Sequence, residues 1–121
     1  MVASAEASRE SAPQAAPAAQ QNFDPRRYRV FIQFSGLITR EGVTALNSSL
    51  AGTGFQMQGS SGQRLPAALG VNEVRYTQES DRPAAEALAA QVTAAGLASR
   101  ALTARQVERI TPNTLEIWMS N

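Results

Sequence analysis

Cysteine, histidine and lysine are all missing from this chain of 121 residues. Without cysteine there is no disulfide, thiol nucleophile or thiolate metal ligand, and without histidine no imidazole moves protons near neutral pH. Cys/His zinc sites are excluded with them. Redox compartment stays open, because a cysteine-free domain is at ease in the cytosol or outside it. Long apolar runs are scarce too: no stretch offers the roughly 20 apolar residues that a spanning helix needs. Residues 1–25 also lack the apolar core of a secretory signal. A large charge of either sign is the last absence, and a net charge of +1 leaves no electrostatic footprint of nucleic-acid binding.

Every basic residue is arginine. Such an Ala- and Arg-rich, Lys-free composition reads as the mark of a GC-rich genome, with selection for bidentate anion recognition as the alternative. Residues 1–25 are mostly Ala, Ser, Gln, Pro and Glu, with almost no large apolar side chain before Phe23. They are expected to form a disordered tail or linker, since they bury too little surface to offset the entropy of ordering. Residues 26–121 are then one domain, which the chain presents either alone or as a fragment of a larger anchored protein.

Within that domain the sequence repeats faintly at an offset of 42 residues. Ile32 and Phe34 recur as Val74 and Tyr76, Arg40 as Arg82, and Ala45, Leu46, Leu50, Gly54 and Phe55 as Ala87, Leu88, Val92, Gly96 and Leu97. Each copy runs from an alternating extended segment through a polar turn to an amphipathic helix and a glycine stop, the pattern of a β-α-β unit. In the first copy Tyr28, Val30, Ile32 and Phe34 face the core, Thr39 caps a helix striped by Val43, Leu46 and Leu50, and Phe55 to Gln58 is a strand. Gly59 to Gly70 is a long loop. In the second, Val74 and Tyr76 face inward, Asp81 caps a helix that begins near Pro83, and Leu97 to Leu102 forms a fourth strand that Arg105 to Ile110 extends. Pro112-Asn113 turns the chain into a final hairpin strand over Thr114 to Met119. The expected fold is α+β: a two-layer βαββαβ, ferredoxin-like sandwich, with two helices on one face of a mainly antiparallel sheet and a C-terminal hairpin strand.

Such a sandwich leaves one sheet face without helices. Strand parity places Arg29, Phe31, Gln33, Gln56, Gln58, Glu73, Arg75, Glu116 and Trp118 there. Of these, Arg29, Phe31, Gln33, Gln56, Arg75 and Trp118 form the candidate ligand-binding set, because rings stack on apolar faces while amides and guanidinium groups satisfy polar edges. The alternatives are that Phe31 and Trp118 pack under the long loop or tail, or that the face joins two copies in a structural dimer. An RNA-recognition module is the weakest alternative. Those modules carry stacking aromatics in a set pattern on their central strands, and Asn72-Glu73-Val74-Arg75-Tyr76-Thr77 does not match it.

No constellation of residues names a reaction, a cofactor or a metal, so the chain reads as non-catalytic. Gly59-Ser60-Ser61-Gly62-Gln63-Arg64 lacks the Gly-Lys-Ser/Thr ending of a phosphate loop. Glu79 and Asp81 have no third carboxylate near them in sequence. Arg26-Arg27-Tyr28-Arg29 is a charged domain edge, suited to an anionic glycan, phosphate or headgroup but more often simply solvated.

The repeated residues also carry a family resemblance. Tyr28-Arg29-Val30-Phe31-Ile32-Gln33-Phe34, Ala45-Leu46 with Leu50, Gly54-Phe55-Gln56-Met57, Asn72-Glu73-Val74-Arg75-Tyr76 and Ala84-Ala85-Glu86-Ala87-Leu88-Ala89 together resemble the C-terminal domain of LytR/CpsA/Psr cell-envelope proteins over most of residues 28–119. Phe34-Ser35-Gly36 stands where that family usually has Asn-Gly. Ala45-Leu46, Leu50 and Gly54, with Ala87-Leu88, Val92 and Gly96, are similar to SPOR domains, which bind denuded peptidoglycan glycans across an open sheet. Both resemblances imply a non-catalytic accessory domain of the bacterial envelope, with a cell-wall glycan or envelope protein as partner. Neither assigns binding residues, so the candidate set comes from strand parity.

Overall fold

Apolar residues at alternate strand positions and at three- and four-residue helix spacing must share one interior, and that requirement shapes the chain. A computed structural model describes residues 23–59 and 62–121. Its strands are β1 (Arg29–Ser35), β2 (Gln56–Met57), β3 (Gln63–Arg64), β4 (Glu73–Tyr76), β5 (Thr103–Gln106) and β6 (Thr114–Ser120), and its helices α1 (Arg40–Gly52) and α2 (Arg82–Ala95). The fold is α+β, with two helices and a mixed sheet of six strands.

The strand order is β2-β1-β6-β4-β5, with β3 also pairing β1. Two β-α-β units, β1-α1-β2 and β4-α2-β5, each join a neighbouring parallel pair. Between them lies β6, parallel to β1 over seven residues from Arg29↔Thr114 to Ser35↔Ser120 and antiparallel to β4. The ferredoxin-like, mainly antiparallel sheet expected from sequence is thus replaced by one in which, among the described residues, only the β4–β6 pairing is antiparallel. The last strand is not a hairpin partner of β5 either. Leu115, Ile117 and Met119 are each fully buried, and a long apolar strand buries most when flanked on both sides.

Val30, Ile32 and Phe34 join Leu115, Ile117 and Met119 and Val74 and Tyr76 on the helix-covered face, all in one core with Val43, Leu46, Leu50, Leu88 and Val92. Each fully buried side chain of this size contributes about 1.5–3 kcal/mol. Thr39 caps α1 as expected, its Oγ1 accepting from Gly42 N at 3.0 Å. Asp81 precedes α2 but does not cap it. It is 2% exposed, its carboxylate close enough to the Tyr28 phenol to raise that group's pKa and accepting from Asn113 N at 3.4 Å. A buried carboxylate is drawn to donors that tie separate segments together, here the start of β1 and the turn before β6.

Leu97 to Leu102 is not a strand. Ser99 N donates to Ser120 O at 3.0 Å and Leu102 N to Thr93 Oγ1 at 2.9 Å, so backbone donors here are taken outside a ladder. Strand β5 begins only at Thr103. The brief turn expected at Ala67-Ala68-Leu69 of the long loop is present as a 3₁₀ turn over Pro66–Ala68, and the loop also holds β3, which lies along β1 and was not expected. Most of the tail expected over residues 1–25 lies outside the described residues. Its last three belong to the packed structure: the Phe23 ring meets Tyr28 edge-on at 6.1 Å and Phe55 at 6.3 Å, and Asp24 caps the turn Pro25–Arg27. Among the described residues no helix is long and apolar enough to cross a membrane.

Gly36 closes the sheet at the end of β1. Its φ is +75°, and a Cβ there would lie 2.2 Å from Asn121 O, where Leu37 N donates at 3.0 Å. Gly36→Ala is expected to destabilise by about 2 kcal/mol or more, through backbone strain and the clash. Gly52→Ala, with nothing within 4 Å of the added carbon, should stabilise by about 0.5 kcal/mol. Urea titration of both variants decides; equal midpoints contradict the close approach.

Both tyrosines of the chain are buried. Burial pushes each phenol above its ordinary value, and the Asp81 carboxylate adds to this at Tyr28. With no lysine or cysteine present, these are the only side chains that titrate between about pH 8 and pH 12. The unfolded chain therefore loses phenolic protons first. Stability is full below about pH 10 and declines as pH rises through the folded values. Phenolate absorbance should emerge together with unfolding; phenolate in a still-folded chain near pH 10 contradicts this.

Candidate functional site

Because Val30, Ile32 and Phe34 point to the helices, Arg29, Phe31, Gln33 and Ser35 point away from them. The register then aligns the open face in rows. Gln56, Arg29 and Thr114 lie side by side, then Phe31, Glu116, Arg75 and Arg105, then Gln33, Trp118, Glu73 and Thr103. All six candidate residues, Arg29, Phe31, Gln33, Gln56, Arg75 and Trp118, therefore share one face. They do not act as one group.

At its centre stands Trp118. The Arg75 guanidinium lies 4.1 Å from the centroid of its ring, and the indole Nε1 donates to Glu116 Oε1 at 3.0 Å. Arg75 Nε also donates to Glu73 Oε2 at 2.5 Å. Glu73, 9% exposed, offers its other oxygen to Arg105, 3.6 Å away. Stacking, ion pairing and hydrogen bonding thus hold Glu116, Trp118, Arg75, Glu73 and Arg105 in one chain of contacts across three strands. Trp118 is therefore an anchored ring with one face taken.

The other candidates lie toward the β1 and β2 side. Phe31 is the exposed ring of the face, at 38%. Gln33 is half-buried, and its Oε1 is buried without a donor. Arg29 donates to Thr114 Oγ1 at 3.4 Å, and Gln56 Nε2 to Arg26 O. Gln58 Nε2 donates to Gln56 O at 3.0 Å.

Sequence reasoning missed the cleft at the far edge. Gly70, Val71 and Asn72, Glu73 and Arg75 of β4, Arg100 and Ala101, and Thr103 and Arg105 of β5 line a concavity of about 430 Å³. Arg100 and Arg105 escaped notice because the strand was expected at Leu97 to Leu102. A strand beginning at Thr103 puts Thr103 beside Glu73 and Arg105 beside Arg75.

The remaining polar candidates are engaged in the fold. Glu79 accepts from Arg82 Nε at 2.7 Å, and this bond holds its carboxyl below the usual range. Among the described residues no group of three or more acidic side chains could hold a metal ion. Arg64, from the glycine-rich loop, donates to Gly36 O at 2.9 Å and Ile38 O at 2.7 Å and lies 4.7 Å from the Phe34 ring centroid, so it staples the loop to the end of β1.

Arg75→Gln should lower stability by about 1–3 kcal/mol, since it strands the buried Glu73 carboxylate, and should shift Trp118 emission. Arg105→Gln, removing a side chain that is 65% exposed, should change stability by less than about 1 kcal/mol. Chemical denaturation followed by tryptophan fluorescence separates the two; equal losses contradict the central place of Arg75. No family model, curated protein or solved structure matches this chain.

Proposed function

We propose that this chain is a non-catalytic binding module that works through its helix-free sheet face, with a cell-envelope glycan as ligand. One observation carries the proposal: Phe31 stands 38% exposed on that face, between Arg29 and Gln33 along β1, with Gln56 beside Arg29. An exposed ring bordered by amides and guanidinium groups suits a sugar, whose apolar face stacks while its hydroxyls take hydrogen bonds at the rim. Trp118 supports the site as a fixed ring under Arg75. The envelope setting rests on the resemblance of the repeated residues to LytR/CpsA/Psr C-terminal and SPOR domains.

Titration with peptidoglycan fragments should shift the backbone amides of Phe31, Gln33 and Trp118 and change Trp118 emission. Phe31→Ala should weaken binding about fivefold to tenfold, the value of one ring contact. Unchanged amides on that face at saturating fragment overturn the glycan proposal. A concentration-dependent dimer that Phe31→Ala dissociates would assign the face to self-association instead.

A further inference from the structure

We infer that the cleft at the start of β4 and β5 is a binding site for an oxyanion, a carboxylate or phosphate, carried by a ligand of about sugar size. The inference rests on the binding role proposed for the open face, whose edge this cleft forms, and names the charge class of the ligand. The cleft gathers Arg75, Arg100 and Arg105 against one carboxylate, Glu73. A chain of net charge +1 thus concentrates a surplus of two positive charges in one concavity. Its volume of about 430 Å³ lies within the range of small-molecule sites.

The arrangement of the groups favours an incoming anion over internal pairing. Both Glu73 oxygens are engaged, Oε2 by Arg75 and Oε1 by Arg105, so an anion meets guanidinium groups before it meets a bare carboxylate. Arg105 is only loosely held, at 3.6 Å and with its side chain 65% exposed, and its planar fork suits two parallel bonds to a carboxylate or phosphate. Arg100 is fixed at the rim by a 2.9 Å bond from NH2 to Gly70 O, which leaves its other nitrogens to donate. Thr103 adds an exposed hydroxyl from β5. Asn72, also in the lining, keeps a buried Nδ2 without an acceptor.

Arg75, Arg100 and Arg105 carry the positive charge of the cleft. Arg75 links it to Trp118 at 4.1 Å, which makes the indole a reporter for events in the cleft.

The test uses the full chain with inorganic phosphate, glucuronate and neutral glucose, with sodium chloride at matched ionic strength as control. Phosphate or glucuronate should shift the amides of Asn72, Thr103 and Arg105 and alter Trp118 emission, while glucose and chloride should not. Tighter binding of phosphate assigns the oxyanion to a phosphate-bearing ligand, and tighter binding of glucuronate to a sugar acid. Arg100→Gln and Arg105→Gln should each weaken binding about fivefold or more, with the folded state verified by an otherwise unchanged amide spectrum. The inference is overturned if neither anion shifts these amides, if chloride reproduces the shifts, or if the double variant binds as before. Peptidoglycan fragments that still shift Phe31 after such a failure would sink the cleft and spare the open face. Anion binding without any response to glycans would do the reverse.

Discussion

The structure depends on the insertion of β6 between β1 and β4. This strand alone joins the two β-α-β units into one sheet, through seven parallel register positions on one side and an antiparallel ladder on the other. Its inward residues Leu115, Ile117 and Met119 are fully buried beneath both helices, so the last apolar segment of the chain completes the core. Central strands bury two edges and one face, which is why a long apolar strand belongs in the middle.

Everything on the open face follows from that insertion. Because β6 separates β1 from β4, Trp118 and Glu116 come to stand beside Arg75 and Glu73 and not beside β5. The stacked and ion-paired chain from Glu116 to Arg105 crosses β6, β4 and β5 and stiffens the β4 side of the sheet. Toward β1 and β2, Phe31 is left exposed among amides. The face is therefore divided into a self-satisfied charged half and a half suited to stacking, with an arginine-lined cleft beyond the first.

The two β-α-β units use similar local contacts. Arg40 lies 5.8 Å from the Phe34 ring centroid and Arg82 5.4 Å from that of Tyr76, each placing a cation at the start of a helix over an aromatic residue in the last two positions of the preceding strand. The units differ at their return strands. β2 follows Gly54 almost at once, whereas Leu97 to Leu102 crosses past the ends of β6 and α2 before β5 begins. That detour brings Arg100 and Arg105 to the edge of the open face.

Local pattern was sufficient for much of this. Alternation in Tyr28 to Ser35 and Thr114 to Met119, the Thr39 cap, the Val43, Leu46 and Leu50 stripe and the Gly96 stop all follow from backbone geometry and the burial of apolar side chains, which sequence spacing records. The same parity placed Arg29, Phe31, Gln33, Gln56, Arg75 and Trp118 on one face, because a strand's two sides do not depend on which strands flank it. Strand order was beyond it, since hydrogen-bonded ladders between segments distant in sequence leave no local trace. Only the tertiary structure decided that β6 lies between β1 and β4, that Asp81 turns from its helix to Tyr28 and Asn113, and that Arg75, Arg100 and Arg105 converge. Each is settled by competition among distant segments for burial and for hydrogen-bond partners, which no single stretch of sequence contains.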